Sequence, residues 1–250
     1  MIIPPSLQAH ALLIHNAFET LALLVGAYLY RRALEGRQSN LFEPQRLAVA
    51  LGCLFGAGTG NKAMFWIERP DLFAQHVHSF TDFFIAGQSM TGGLIGGLMG
   101  VELAKWLTRQ RTSTGDLFVT PILVGLIIGR IGCFLAGLQD STFGTPTSLP
   151  WGIDFGDGVP RHPTQIYDQL FALLALYLRH HYRPQLDRIS GLTFRLLLLA
   201  YLGWRVLVDF LKPVDYAYPL GWSGIQWACL IFVMIYAPLT YRFARQRHEP

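Results

Sequence analysis

The sequence of 250 residues predicts an all-α polytopic membrane protein of about seven transmembrane helices, with the N-terminus outside and the C-terminus cytoplasmic. Composition is the first observation: 14% of the residues are charged and 52% are apolar, whereas a soluble domain carries about 25% charged residues. The second is a series of apolar stretches near the length of about 20 residues that crosses a bilayer. The third is an uneven distribution of Lys and Arg among the loops. Together they predict one integral membrane domain over 1–250.

The apolar stretches define the predicted spans in order. The fifth stretch is short and the third contains few large apolar side chains, so six or eight spans remain alternatives. No Lys or Arg precedes the first stretch, which predicts a retained helix rather than a cleaved signal peptide. The stretches cover about 11–30, 47–67, 88–107, 117–138, 166–182, 191–211 and 223–243.

The charges of the loops predict the orientation. With the N-terminus outside, the cytoplasmic segments contain fourteen of the twenty Lys and Arg residues. The outer loops keep Arg69, Arg161 and Lys212, with Lys62 near the edge. Because basic residues collect on the cytoplasmic side, this asymmetry predicts N-out, C-in and an odd number of spans. The predicted location is the bacterial plasma (inner) membrane.

Charge and cysteine content exclude two classes of protein. The net charge of +4 comes from basic residues in short loops between apolar stretches, so no nucleic-acid partner is predicted. Cys53, Cys133 and Cys229 lie within apolar stretches, and an odd number there argues against a disulfide framework. Cys133 fits a small buried apolar residue better than a nucleophile. No cofactor is predicted.

Glycines at four-residue spacing occur in the second and third apolar stretches. Small residues at this spacing allow helix backbones to approach closely in lipid, so helix packing is the simplest interpretation. Gly92 and Gly93 are also candidates for lining a substrate site. The spaced glycines are Gly52, Gly56 and Gly60, then Gly92, Gly96 and Gly100, and Gly93 with Gly97.

Two long loops are predicted at the outer face, at about 68–87 and 139–165. Loops of this length are often functional. The first contains His76 and His78, but two histidines without further ligands at zinc spacing are a weak signal, so no metal site is predicted. The second contains Asp140 among several acidic, Gly and Pro residues. These loops predict that the functional residues lie at the outer face.

Arg130 and Arg205 fall inside or at the ends of predicted spans. A charge within the bilayer costs about 2.5–3.5 kcal/mol, so it usually faces a partner or a cavity. Arg205 lies four residues before Asp209, which allows an ion pair on one helix, whereas Arg130 has no carboxylate nearby in sequence. The alternative is that both guanidinium groups bind an anion, for which a planar fork suits phosphate.

Further polar residues stand at the start of the fifth span and within the first. Pro163 fits the first helical turn, which predicts His162 in the N-cap region. His162 and Gln165 then either cap the helix or, in the case of His162, transfer a proton near neutral pH. His15 and Glu19 are four residues apart and are expected to form a polar pair on one helix face.

Four short motifs occur in order along nearly the whole chain. The second and third are fairly specific, and the glycine-rich first is not. The motifs are Thr91-Gly92-Gly93-Leu94-Ile95-Gly96, Gly129-Arg130-Ile131-Gly132-Cys133-Phe134, His162-Pro163-Thr164-Gln165-Ile166-Tyr167, and Arg205 followed by Asp209-Phe210.

In order, spacing and helix number, the chain resembles the prolipoprotein diacylglyceryl transferase family. The resemblance implies transfer of diacylglyceryl from phosphatidylglycerol to the lipobox cysteine of a preprolipoprotein, with release of glycerol phosphate. It implies catalytic roles for Arg130 and Arg205 on the phosphate, and for His162 on the proton. The substrate-binding residues that it implies are Gly92, Gly93, Gly129, Gly132, Asp140, Gly144, Gln165, Tyr167 and Asp209.

Several residues depart from the family pattern. Thr91 stands in place of a histidine, and Cys133 and Ala136 stand in place of two asparagines. Leu138 replaces a glutamate, for which Asp140 is a nearby substitute. These changes imply a divergent member and leave the identity of the thiol acceptor open.

Two other functional classes fit the sequence less well than the transferase. A retinal protein needs a lysine in its last helix, and 223–243 contains none. A transporter often shows paired inverted repeats, and none is visible. A divergent lipid transferase with another acceptor, and a non-catalytic protein that binds or transports phospholipid, remain the alternatives.

Overall fold

The computed structural model describes residues 10–35, 44–76, 81, 87–110 and 113–247, and most of these residues are helical. Four short 3-10 helices and one two-stranded antiparallel hairpin complete the described secondary structure. The α-helices are α1 (Ala11–Glu35), α2 (Pro44–Glu68), α3 (Pro70–His76), α4 (Met90–Thr108), α5 (Val119–Ala136), α6 (Thr164–His181), α7 (Arg183–Leu186), α8 (Leu192–Val208) and α9 (Gly224–Gln246). The 3-10 helices are Gly115–Phe118, Gly137–Asp140, Asp209–Leu211 and Pro219–Gly221, and the strands are β1 (Ile153–Asp154) and β2 (Pro160–Arg161).

Each of the seven predicted apolar stretches coincides with one long helix. Among the described residues, three helical segments are long and apolar enough to cross a membrane: Ala11–Glu35, Gly115–Asp140 and Gly224–Gln246. The mostly helical fold and the presence of membrane-compatible helices agree with the sequence. Seven spans and the orientation of the termini stay predictions.

Glycines make the contact between α2 and α4. A Cβ added to Gly56 would overlap the carbonyl oxygen of Gly96, and one added to Gly100 would overlap that of Gly52. The two backbones therefore touch, as small residues at four-residue spacing allow. The packing interpretation of these glycines is confirmed.

The other long helices pack against one another around an apolar core. α1 packs on α5, α5 on α6, and α8 on α9. Side chains from α5, α6, α8 and α9 meet in this core, which brings the polar residues near the ends of the same helices together. Its most buried members are Val119, Leu123, Ala172, Leu198, Leu202 and Cys229.

The loop at 139–165 is ordered and tied to its surroundings. Gly144 N donates to the carbonyl of His162 over 2.9 Å, and Thr145 N donates to that of Leu211 over 2.7 Å. Phe155 is fully buried against Phe134 and Phe143. The loop is therefore fixed against the ends of α5 and α8.

An exposed ion pair stabilises the tip of that loop. Arg161 donates to both carboxylate oxygens of Asp157, over 2.7 and 2.6 Å. These hydrogen bonds lower the pKa of the Asp157 carboxyl to about 2. The loop at 68–87 is described only in part: His78 lies outside the described residues, as does the side chain of His76.

The start of α6 differs from the sequence prediction. The N-cap is Pro163, so His162 lies directly before it in the N-cap region, and no side chain caps the helix. Thr164 N bonds to the carbonyl of His162 in a turn, which starts the helix one residue later than expected. His162 and Gln165 are thus free of a capping role.

Candidate functional site

A buried ion pair joins α5 to α6. Arg130 Nε lies 2.9 Å from Asp168 Oδ2, and the two side chains are 11% and 1% exposed. Trp204 Nε1 donates to the other oxygen, Asp168 Oδ1, over 2.7 Å. No acidic residue lies near Arg130 in the sequence, because its partner Asp168 comes from the next long helix. The pair occupies Nε of the guanidinium, and Nη1 contacts Cys133 Sγ over 3.7 Å.

A second buried arginine stands where α8 turns into the 3-10 helix Asp209–Leu211. Arg205 Nη2 lies 2.6 Å from Asp209 Oδ1, which confirms the predicted pair four residues apart. Lys212 Nζ lies 3.8 Å from the same oxygen. Burial, and after it the nearby charges of Arg205 and Arg130, lowers the pKa of Lys212 to about 8.

These groups form one charged cluster. The charges of Arg130 and Arg205 interact directly, and Lys212 interacts with both arginines and both carboxylates. Asp168 and Asp209 face these three cations, and Glu68 at the end of α2 also interacts with Arg205, Lys212 and Asp209. Since a buried charge is unfavourable unless it is paired, three neighbouring cations suit an anionic ligand.

Unsatisfied polar atoms surround this cluster. Within the part of the chain that the structure describes, both amide atoms of Gln165, the hydroxyl of Tyr201 and Nε of Arg205 are buried without a hydrogen-bond partner. An unmade buried hydrogen bond costs about 1–3 kcal/mol. Several such atoms can accept or donate hydrogen bonds to a polar ligand or to water.

Sequence reasoning missed Tyr201, Asp168 and Lys212 as members of this site. Tyr201 could have been found, because it precedes Arg205 by the four residues that place two side chains on one helix face. Asp168 and Lys212 carry no comparable local signal. They join the site only because α6 and the end of α8 approach α5.

His162 belongs to a different polar group at the start of α6. Its Nδ1 lies 3.2 Å from the hydroxyl oxygen of Tyr167, to which Trp151 Nε1 also donates over 2.9 Å. A cavity of about 550 Å³ opens beside Tyr167 and Trp151. The described contacts of the imidazole thus bring it to Tyr167 and not to the two arginines.

Asp140 is paired with the first helix. Its Oδ1 lies 3.0 Å from His15 Nδ1, and its Oδ2 accepts a hydrogen bond from Thr142 Oγ1. His15 Nε2 lies 3.5 Å from Glu19 Oε1, so the predicted polar pair on the first helix is confirmed. Cys133 Sγ lies 3.7 Å from Arg130 Nη1, between this group and the charged cluster.

The predicted substrate-binding glycines divide into two kinds. A Cβ on Gly92 would overlap Gly60, one on Gly132 would approach Phe18 to 2.6 Å, and one on Gly144 would approach the backbone of His162 to 2.6 Å. These three serve close packing. Their binding of substrate stays a prediction.

Gly93 and Gly129 leave open space. A Cβ on Gly129 would meet no heavy atom within 4 Å, and one on Gly93 would come no closer than 3.7 Å to Ala57. Gly93 also lines a cleft of about 1780 Å³ between α4, the start of α8 and the end of α9. Space beside Gly129, one residue before Arg130, is consistent with a bound ligand there.

Comparison with known proteins identifies relatives over most of the chain. The sequence model of the family described as prolipoprotein diacylglyceryl transferase matches residues 2–242. Three relatives carry the name phosphatidylglycerol–prolipoprotein diacylglyceryl transferase. The protein from Bordetella parapertussis is 31% identical over 80% of this chain and 75% of its own length. Those from Wolbachia pipientis and Azoarcus sp. are each 28% identical, over 84% and 98% of this chain and 81% and 93% of their own lengths.

Proposed function

Because the chain belongs to the prolipoprotein diacylglyceryl transferase family, we propose that it transfers diacylglyceryl from phosphatidylglycerol to the thiol of a prolipoprotein cysteine. Glycerol phosphate is the second product. The proposal includes a multi-pass protein of seven spans in the bacterial plasma membrane, with the N-terminus outside. The reaction then takes place near the outer face, where the loop at 139–165 meets the charged cluster.

The observation that carries this proposal is the buried pair of guanidinium groups. Arg130 and Arg205 keep N–H groups that their carboxylate partners do not use, and Lys212 adds a third cation. Arginine binds phosphate oxygens through parallel hydrogen bonds. The phosphodiester of phosphatidylglycerol is an anion that can accept hydrogen bonds from these groups.

The proposed reaction is a displacement at the glyceryl carbon that bears the phosphate. The acceptor sulfur forms a bond to this carbon, the carbon–oxygen bond to phosphate breaks, and glycerol phosphate leaves with the bonding electrons. Arg130 and Arg205 stabilise the charge that develops on the phosphate in a site poor in water. His162 accepts the thiol proton, and Tyr167 orients its imidazole through their hydrogen bond.

The remaining site residues hold the lipid headgroup in this proposal. The amide of Gln165 and the hydroxyl of Tyr201 hydrogen-bond to the phosphate and to the glycerol hydroxyls. Asp209 acts indirectly by holding Arg205. Gly129 leaves space for the headgroup next to Arg130.

A transferase with a different thiol acceptor is the second candidate. Thr91, which is buried and stands where the family has histidine, offers no imidazole for proton transfer. Cys133, which stands where the family has asparagine, changes the group that contacts Arg130. Both arginines of the proposed phosphate site are kept while these residues differ, which favours a different thiol acceptor rather than a different lipid donor.

The test uses the purified chain, phosphatidylglycerol vesicles and a lipobox peptide. Mass spectrometry should detect the peptide plus one diacylglyceryl group, and a peptide with serine in place of cysteine should stay unmodified. Arg130→Gln should abolish the product, whereas Arg183→Gln, at an exposed ion pair with Asp187, should keep it. Product formation by folded Arg130→Gln at the normal rate contradicts the proposal. Modification of a small thiol but not of the peptide supports the second candidate.

A further inference from the structure

Three side chains from three elements meet beside the start of the loop at 139–165. They are His15 of α1, Cys133 of α5 and Asp140 at the end of the 3-10 helix Gly137–Asp140. One ligand atom from each lies within 4.8 Å of the other two. Two ligand atoms on a tetrahedral zinc ion are about 3.5 Å apart. Small side-chain rotations would therefore bring the three atoms onto one ion.

The donor set is selective in its chemistry. Imidazole, thiolate and carboxylate are the usual protein ligands of Zn²⁺, and three of them with one open position form the common arrangement of a reactive zinc site. The thiolate disfavours Mg²⁺ and Ca²⁺, which prefer oxygen ligands. The sulfur of Cys133 therefore favours a thiophilic ion such as Zn²⁺.

The surrounding groups match those that orient metal ligands. A ligating histidine usually gives its second ring nitrogen to a carboxylate, and a ligating carboxylate is itself hydrogen-bonded. His15 Nδ1 faces Asp140, while its Nε2 lies 3.5 Å from Glu19 Oε1. Thr142 Oγ1 donates to the Asp140 oxygen that does not face His15.

Exposure also suits an ion. The guanidinium of Arg130, with Nη1 3.7 Å from Cys133 Sγ, repels a cation, and the two negative charges of a Cys133 thiolate and the Asp140 carboxylate oppose this repulsion. The His15 side chain is 22% exposed and that of Glu19 is 46% exposed, which gives a path from the surface. Cys133 itself is buried, so the ion would be shielded on the side of the protein core.

We propose that His15, Cys133 and Asp140 bind a thiophilic divalent cation, of which Zn²⁺ is the best fit. Binding replaces the thiol proton of Cys133, which is released to water, and forms one metal–sulfur bond without a change of oxidation state. The proposal does not depend on the transferase reaction, because it concerns binding alone.

Cobalt(II) is the direct probe, since a cobalt–thiolate bond absorbs in the near ultraviolet. The full-length protein, stripped with a chelator and titrated with Co²⁺, should develop this absorption at one ion per chain, and Zn²⁺ should remove it. Cys133→Ser should lose the absorption. Cys53→Ser, which changes a half-buried cysteine outside the cluster, should keep it.

A second set of variants tests the same site in case Cys133→Ser does not fold. His15→Gln should weaken the affinity for Zn²⁺ by at least about tenfold, and Glu19→Gln should weaken it by about tenfold, the usual cost of losing an outer partner. Absence of the cobalt–thiolate absorption from the wild type overturns the proposal. So does an absorption or affinity that Cys133→Ser and His15→Gln leave unchanged.

Discussion

Replacing Asp168 with alanine removes the counterion of a buried arginine. The carboxylate contacts Arg130 Nε at 2.9 Å and Trp204 Nε1 at 2.7 Å, and it is 1% exposed. Water therefore cannot take its place at low cost. Removal of one partner from a buried pair costs about 3–5 kcal/mol, because the other charge is left uncompensated. We expect Asp168→Ala to lower the free energy of unfolding by that amount.

The matched control is Asp187→Ala. Its carboxylate also pairs with arginines, Arg179 and Arg183, but it is 45% exposed. Pairs of this kind contribute about 0–1 kcal/mol. The comparison thus separates the effect of burial from that of losing an ion pair.

Unfolding can be followed through the chain's own cysteines. Cys133 and Cys229 are buried, so a maleimide dye should label them as denaturant unfolds the protein in detergent. The double variant Arg130→Met with Asp168→Leu should recover much of the lost stability, since no charge is left unpaired. Equal losses in Asp168→Ala and Asp187→Ala, or no recovery in the double variant, would refute the reasoning.

Three further predictions use the same preparations. Gly100→Leu should lower the free energy of unfolding by about 1–3 kcal/mol, because its side chain would overlap the Gly52 carbonyl. Gly58→Leu, whose side chain would meet open space, should change it little, and dye labelling measures both variants. Tyr201→Phe should slow peptide modification about tenfold or more but leave unfolding nearly unchanged, because the hydroxyl has no partner among the described residues. Affinity for phosphatidylglycerol vesicles should fall above about pH 8, where Lys212 loses its charge, and Lys212→Arg should keep it; an unchanged pH profile in this variant would contradict the assignment.

The helices could be predicted because their signals are local. Apolar stretches predicted the seven long helices found among the described residues, and the glycine spacing predicted the close packing of α2 on α4. Arg205 and Asp209 could likewise be paired from their spacing on one helix. Each of these features depends on residues within one or two helical turns.

The parts that could not be predicted depend on contacts between distant segments. Asp168 reaches Arg130 only through the packing of α6 on α5, and no spacing within one helix indicates it. The sequence also left open whether His162 caps α6, and the structure shows that its imidazole contacts Tyr167 instead. Cys133 fitted a small buried residue, and only the fold brings it near His15 and Asp140.

The most direct test of the central claim counts products. With headgroup-labelled phosphatidylglycerol and a lipobox peptide, the wild type should release one glycerol phosphate for each peptide that gains a diacylglyceryl group. Folded Arg205→Gln should lose both products together, because the phosphate is no longer stabilised as it leaves. Glycerol phosphate release without peptide modification, or a normal rate of both in Arg205→Gln, would contradict the claim that the buried arginines drive the transfer.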